Sequence, residues 1–84
     1  MKVRLKLYAM LSDYLPHEAQ KNNVLELELD DGVTVAALIE RHQLPLKFVK
    51  LVLLNGVFIP PEERSMRTLV EGDVLAIWPP IAGG

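Results

Sequence analysis

The last six residues read Pro79-Pro80-Ile81-Ala82-Gly83-Gly84. The chemistry that such a run offers belongs to a backbone carboxylate rather than to any side chain. Glycine has no Cβ, so its backbone can enter a slot too narrow for another residue. The proline pair fixes φ and stiffens the approach to the glycines. The result is a thin tip on a semi-rigid stalk, able to feed the α-carboxylate of Gly84 into another protein's active site. A carboxylate is ionised at neutral pH, and its delocalised charge makes it a poor electrophile. To react it must first acquire a good leaving group. The plain alternative is a frayed end, because disorder collects at termini. The domain carrying the tail decides between the two.

That domain offers little other chemistry. There is no cysteine, so no disulfide, thiolate metal site or thiol nucleophile is available, and any sulfur handled here must come from elsewhere. His17 and His42 are isolated and lack metal-ligand spacing, which makes them structural or solvated residues. His42 is expected to end a helix, where a cationic ring would favour the dipole. Glu62 and Glu63 read as a solvated loop rather than an acid/base pair. A net charge of −2 argues against nucleic acid as a partner. No apolar run is long enough to span a bilayer, so no membrane role and a cytoplasmic location are expected.

With 84 residues, half of them hydrophobic, the chain has material for one small core. The expected division is a folded domain over 1–78 and a tail over 79–84. Residues 2–9 alternate, with Val3, Leu5, Leu7 and Ala9 on one face and Lys2, Arg4, Lys6 and Tyr8 on the other, as in a half-buried strand. Residues 10–15 allow a turn or two of helix, and 16–23 read as a polar loop. Leu25, Leu27 and Leu29 alternate with Glu26 and Glu28 in a second strand. Side by side, the two strands would set Arg4 and Lys6 against Glu26 and Glu28.

Asp30-Asp31-Gly32 signals a turn, and Thr34 stands at a helix N-cap position. Val35, Leu38, Ile39 and His42 follow at the spacing of one helical face, and Pro45 is expected to stop that helix. Residues 48–54 read as a strand with apolar residues on both faces. Asn55-Gly56 is a hairpin signal, followed by the short return strand Val57-Phe58-Ile59. Residues 62–70 form a loop with room for a helical turn. Glu71-Gly72-Asp73 then leads into the last strand, Val74 to Trp78. The order β, β, α, β, β, β, with one main helix on a mixed sheet, is an α+β architecture.

This order and this ending resemble the ubiquitin-like β-grasp fold, and more closely the ThiS/MoaD family of sulfur carriers. The motifs carrying the resemblance are Tyr8-Ala9, Thr34-Val35, Leu54-Asn55-Gly56, Leu69-x-x-Gly72-Asp73-Val74 and Trp78-Pro79-Pro80-Ile81-Ala82-Gly83-Gly84. The proline pair is most like the molybdopterin synthase small-subunit branch. Two features depart from that branch: Trp78 stands where phenylalanine is usual, and Phe58 to Arg67 is longer and more charged. The resemblance implies a sheet of four to five strands with the first and last strands adjacent and parallel in its middle. Strands are expected at 3–7, 25–29, 49–54 and 74–78, with a helix at 35–42. Val3, Leu5, Leu27, Leu38, Ile39, Val52, Leu54, Leu75 and Ile77 should be mostly buried.

The resemblance further implies that an adenylating enzyme of the ubiquitin-activating type (MoeB/ThiF-like) uses ATP and Mg²⁺ to form an acyl-adenylate on Gly84. A persulfide donor would then leave a thiocarboxylate there, for delivery in a molybdopterin synthase large subunit (MoaE-like). Gly83, Ala82, Ile81, Pro80 and Pro79 would thread the tail. The chain itself would bind no cofactor or metal and would not be a catalyst alone. By the same resemblance Val52 and Leu54 point inward, leaving Leu51, Leu53 and Trp78 as a docking patch on the open face. A loop covering that face would instead make all three core. Thiamin, tungsten-cofactor or tRNA-thiolation carriers remain alternatives, as do a covalent modifier joined to lysines and a plain interaction module with an inert tail.

Overall fold

The computed structural model describes residues 1–80, so the expectations for Ile81, Ala82, Gly83 and Gly84 lie outside the described residues. Five strands form one sheet: β1 (Lys2–Leu7), β2 (Val24–Glu28), β3 (Leu51–Leu54), β4 (Val57–Phe58) and β5 (Val74–Trp78). Their spatial order is β2-β1-β5-β3-β4. β1 and β5 are parallel neighbours in the middle, and the other pairs are antiparallel. Period-2 alternation sends Val3, Leu5, Leu7, Val52, Leu54, Leu75 and Ile77 to one face, all buried. They share a core with Val35, Leu38 and Ile39 of the main helix. Leu27 is only half-buried, because β2 is an edge strand with a neighbour on one side.

The main helix, which we call α2, runs Val35–Arg41. Its first three helical N–H groups all find acceptors. The Ala37 N–H donates to Thr34 Oγ1 at 3.1 Å. The Val35 and Ala36 N–H groups donate to the carbonyls of Arg67 and Arg64 at 2.9 and 2.8 Å. The long segment after β4 therefore caps the helix, and its extra residues have structural work. Within it Arg64 is buried, with Nε donating to the Ile59 carbonyl at 3.0 Å. Burial lowers the pKa of this guanidinium from its ordinary value.

Several sequence expectations need correction. The helix stops at Arg41, ahead of Pro45, because Gln43 adopts a left-handed φ of 55°. The Gln43 N–H then reaches the Glu40 carbonyl at 2.9 Å and the Leu44 N–H the Ile39 carbonyl at 3.3 Å, which is the Schellman pattern. Residues 16–23 are not all loop: α1 (His17–Gln20) buries Ala19. β3 starts at Leu51 because Leu46–Phe48 turn as a 3-10 segment, so Phe48 and Val49 precede the strand. Another 3-10 segment, Ala9–Tyr14, fills the helical turn expected at 10–15.

The β1–β2 register also differs. Arg4 does lie opposite Glu26, with 3.7 Å between the charged groups. Lys6 lies opposite Val24, and Glu28 lies opposite Lys2 while pairing at 3.0 Å with the Met1 α-ammonium. The apolar rungs Val3–Leu27 and Leu5–Leu25 fix this alignment, since a slip would unseat the buried side.

Asn55 and Gly56 have φ of 52° and 85°, the paired positive values of a type I′ hairpin. Asn55 also reaches across to the turn before β5. Its Nδ2 donates to Asp73 Oδ1 at 2.8 Å, and its Oδ1 accepts from the Val74 N–H at 2.9 Å. Asp73 Oδ2 in turn accepts from the Val70 N–H at 2.8 Å. Two motifs that look separate in sequence are one hydrogen-bonded knot.

Candidate functional site

The sheet face opposite the core is built in rungs. At the tail end Trp78 lies opposite Leu51. Tyr8, just past β1, stacks on the Trp78 ring with centroids 4.2 Å apart and planes 6° from parallel. This offset-compatible geometry is worth roughly 0.5–1.5 kcal/mol beyond burial. Backbone bonds pin both residues: the Tyr8 N–H donates to the Ile77 carbonyl and the Lys50 N–H to the Trp78 carbonyl, each at 3.1 Å. The base of the stalk is thus held from both sides of β5 before Pro79 begins.

The next rung crosses all five strands. Val24 faces Lys6, Lys6 faces Ala76, Ala76 faces Leu53 and Leu53 faces Phe58. Below it Glu26, Arg4 and Val74 form a mostly charged rung. The open face therefore grades from charged at its far end to apolar where residues 79–80 leave the sheet. Phe58 is 48 % exposed and Leu51 39 %. Leu53, Tyr8 and Trp78 are half-buried. No loop seals this face among the described residues, so Leu51, Leu53 and Trp78 are gathered on it and none is core.

Sequence reasoning missed Tyr8 and Phe58 as members of this patch. The signals were present. Tyr8 continues the outward side of β1, and a parallel β5 brings that side to Trp78. A two-residue hairpin at Asn55-Gly56 sets Phe58 against Leu53.

The other candidates separate from this face. His17 is exposed in α1, and Glu62 and Glu63 are exposed in a 3-10 turn. His42 is the C-cap of α2 and half-buried. Burial, and secondarily the Arg41 charge, lowers its pKa, so the cationic form that would favour the helix dipole is disfavoured there. Among the described residues no cluster of three or more His, Asp or Glu is placed to hold a metal. No helix among them is long and apolar enough to cross a membrane.

Residues 15–84 match the model of the ThiS family. The chain belongs to the ThiS family. No curated relative matches it significantly. Among solved structures, this ThiS-family chain is similar to SAMP1 from Haloferax volcanii, with 23% identity, TM-score 0.67 and full coverage of both chains. It is similar to a putative molybdopterin converting factor subunit 1 from Pyrococcus furiosus, with 24% identity and TM-score 0.67, covering 96% of this chain and 99% of that one. It is also similar to a chain in the complex of subunits 1 and 2 of the molybdopterin-converting factor from Helicobacter pylori, with 19% identity, TM-score 0.63 and full coverage of both. These likenesses establish the β-grasp fold.

Proposed function

We propose that this ThiS-family chain is a sulfur carrier whose Gly84 carboxylate is adenylated by a partner, converted to a thiocarboxylate, and used as a sulfur donor in molybdopterin synthesis. The observation that carries the reading is a coincidence of place. The family match runs through the Pro-Pro-Ile-Ala-Gly-Gly segment, and that segment leaves the sheet at its apolar, unsealed end.

The chemistry follows from what a carboxylate lacks. One carboxylate oxygen of Gly84 attacks the α-phosphorus of ATP, with Mg²⁺ and the nucleotide held by the partner, and pyrophosphate leaves. The mixed anhydride now has AMP as its leaving group. The terminal sulfur of a donor persulfide attacks the carbonyl carbon and expels AMP, giving an acyl disulfide. A second thiol then reduces that S–S bond, becoming part of a disulfide itself, and the sulfur stays on Gly84 as thiocarboxylate. The domain contributes a handle: Trp78, Leu51, Leu53, Tyr8 and Phe58 seat the partner, and the stalk presents Gly84. Catalytic acids, bases and metals belong to the partners, in keeping with a chain that has no cysteine.

The similar Helicobacter pylori chain is in a complex of subunits 1 and 2 of the molybdopterin-converting factor, which supports a synthase-type second subunit as the acceptor site. A second reading has equal structural support. The Haloferax volcanii relative is named a small archaeal modifier protein, which favours a covalent modifier whose Gly84 is joined to substrate lysines. Both readings share the adenylate. They part at its fate, sulfur against an amine. Incubating the protein with the adenylating enzyme, ATP and a persulfide donor, then with a synthase large subunit and its precursor, tests the carrier. Sulfur reaching the precursor supports it, and isopeptide conjugates with no sulfur transfer replace it with the modifier.

A further inference from the structure

We propose that Lys6 is a specificity-determining docking residue, and that the partner gripping the open face carries a carboxylate placed against it. The inference deepens the proposed function and rests on that docking reading. On β1 the outward cations are Lys2, Arg4 and Lys6. Lys2 lies opposite Glu28, and Arg4 lies opposite Glu26 at 3.7 Å. Lys6 breaks the series. What sets it apart is its cross-strand neighbours, Val24 on one side and Ala76 on the other; like Lys2, whose opposite residue Glu28 pairs with the Met1 ammonium, it takes part in neither of the ion pairs found among the described residues.

Its rung is otherwise Val24, Ala76, Leu53 and Phe58, so a lone ammonium sits inside an apolar band. The side chain is half-buried, as expected when the alkyl stem lies along apolar neighbours and the head reaches water. When a partner covers the band, that water is displaced, and an unpaired charge under an interface is costly. A carboxylate on the partner offsets much of that cost, whereas an unpaired charge would bear all of it. A wrong partner with an apolar or basic surface there is rejected, which is how interfaces discriminate. The complementary surface is thus an apolar patch carrying an acidic side chain, positioned one rung away from the pocket that receives Trp78.

The test is stopped-flow association and equilibrium titration of the full chain with the ubiquitin-activating-type adenylating enzyme of the same organism, over a range of ionic strength. Lys6→Met keeps the stem and removes the charge, and Lys6→Glu reverses it. At low salt, Lys6→Met should weaken binding by about threefold to tenfold. Lys6→Glu should slow association by roughly tenfold or more, with the gap narrowing as salt rises to about 0.5 M, where the Debye length is only a few ångströms. Thermal unfolding of both variants should match the parent. Parent-like association of Lys6→Glu at low salt overturns the inference, as does a loss that salt does not change. If the parent chain itself neither binds the enzyme nor becomes adenylated, the proposed function fails first, and that result is distinct from parent-like behaviour of the variants.

Discussion

Trp78 has an internal contact and a proposed external one, and the two can be measured apart. Inside the molecule it stacks on Tyr8 and stays half-buried. Trp78→Ala should therefore cost about 1–2 kcal/mol of stability, within the usual range for a partly buried truncation. On the proposed docking reading it is the aromatic anchor of the apolar end, and the same substitution should weaken partner binding by more than ~2 kcal/mol. Titration calorimetry beside a denaturant curve checks both, and a stability loss that exceeds the binding loss would make Trp78 a packing residue only. Gly83→Ala separates docking from threading. It should leave affinity intact and slow adenylation, because an added Cβ obstructs a slot fitted to glycine.

His42 supplies a pH prediction. Its folded-state pKa lies below the ordinary histidine value, so between the two values the unfolded chain binds more protons, and stability rises with pH through that window. The contribution is complete above the ordinary value near 6.5 and is lost as pH falls toward the folded-state value. His42→Gln should flatten that part of a melting-temperature profile. An unchanged slope would place the acid sensitivity elsewhere.

At the scale of elements, the knot joining the hairpin to the turn before β5 is the most testable. Asn55→Ala removes a bond to Asp73 and one to the Val74 N–H, and it forces alanine into a φ of 52°. A loss of about 2–3 kcal/mol is expected by urea denaturation, since the buried Asp73 is left short of a donor. Thr34→Ala should cost about 1 kcal/mol by removing the N-cap acceptor.

The strands and the main helix were legible because period-2 and period-3.6 patterns report burial directly, and Asn55-Gly56 reports a turn type. What escaped had no local pattern. Gln43 takes a left-handed conformation that glycine or asparagine usually signals, so the helix end expected at 42 fell within a residue of Arg41 while its cause was assigned to Pro45. The segment after β4 looked like an oversized loop because its purpose, capping α2 through the Arg64 and Arg67 carbonyls, is a long-range contact. The charge pairing of β1 with β2 was half right for the same reason: composition suggests the pairing, but register is set by the buried rungs. At the site, alternation left both apolar faces of residues 51–54 open and the family resemblance assigned Leu51, Leu53 and Trp78 to the open one, whereas Tyr8 and Phe58 joined them only through strand adjacency.

As a whole, the molecule reads as a tethered reagent with a polarised face. In the proposed function, docking through the apolar end would confine Gly84 to the partner's vicinity, and positioning of this kind supplies much of the advantage of a unimolecular reaction over a bimolecular one. The domain would not need reactive side chains for this. It would need a fixed stalk base and an open apolar surface beside it, and the sheet has both. In the proposed function Gly84 accepts sulfur. Intact-mass spectrometry after incubation with the adenylating enzyme, ATP, Mg²⁺, a persulfide donor and a thiol tests this most directly. The expected result is a mass gain equal to replacing one oxygen by sulfur, located at Gly84 by fragmentation and absent when Gly84 is deleted. An unmodified C-terminus under conditions where the enzyme adenylates a known substrate, or the same gain in the deletion variant, would contradict it.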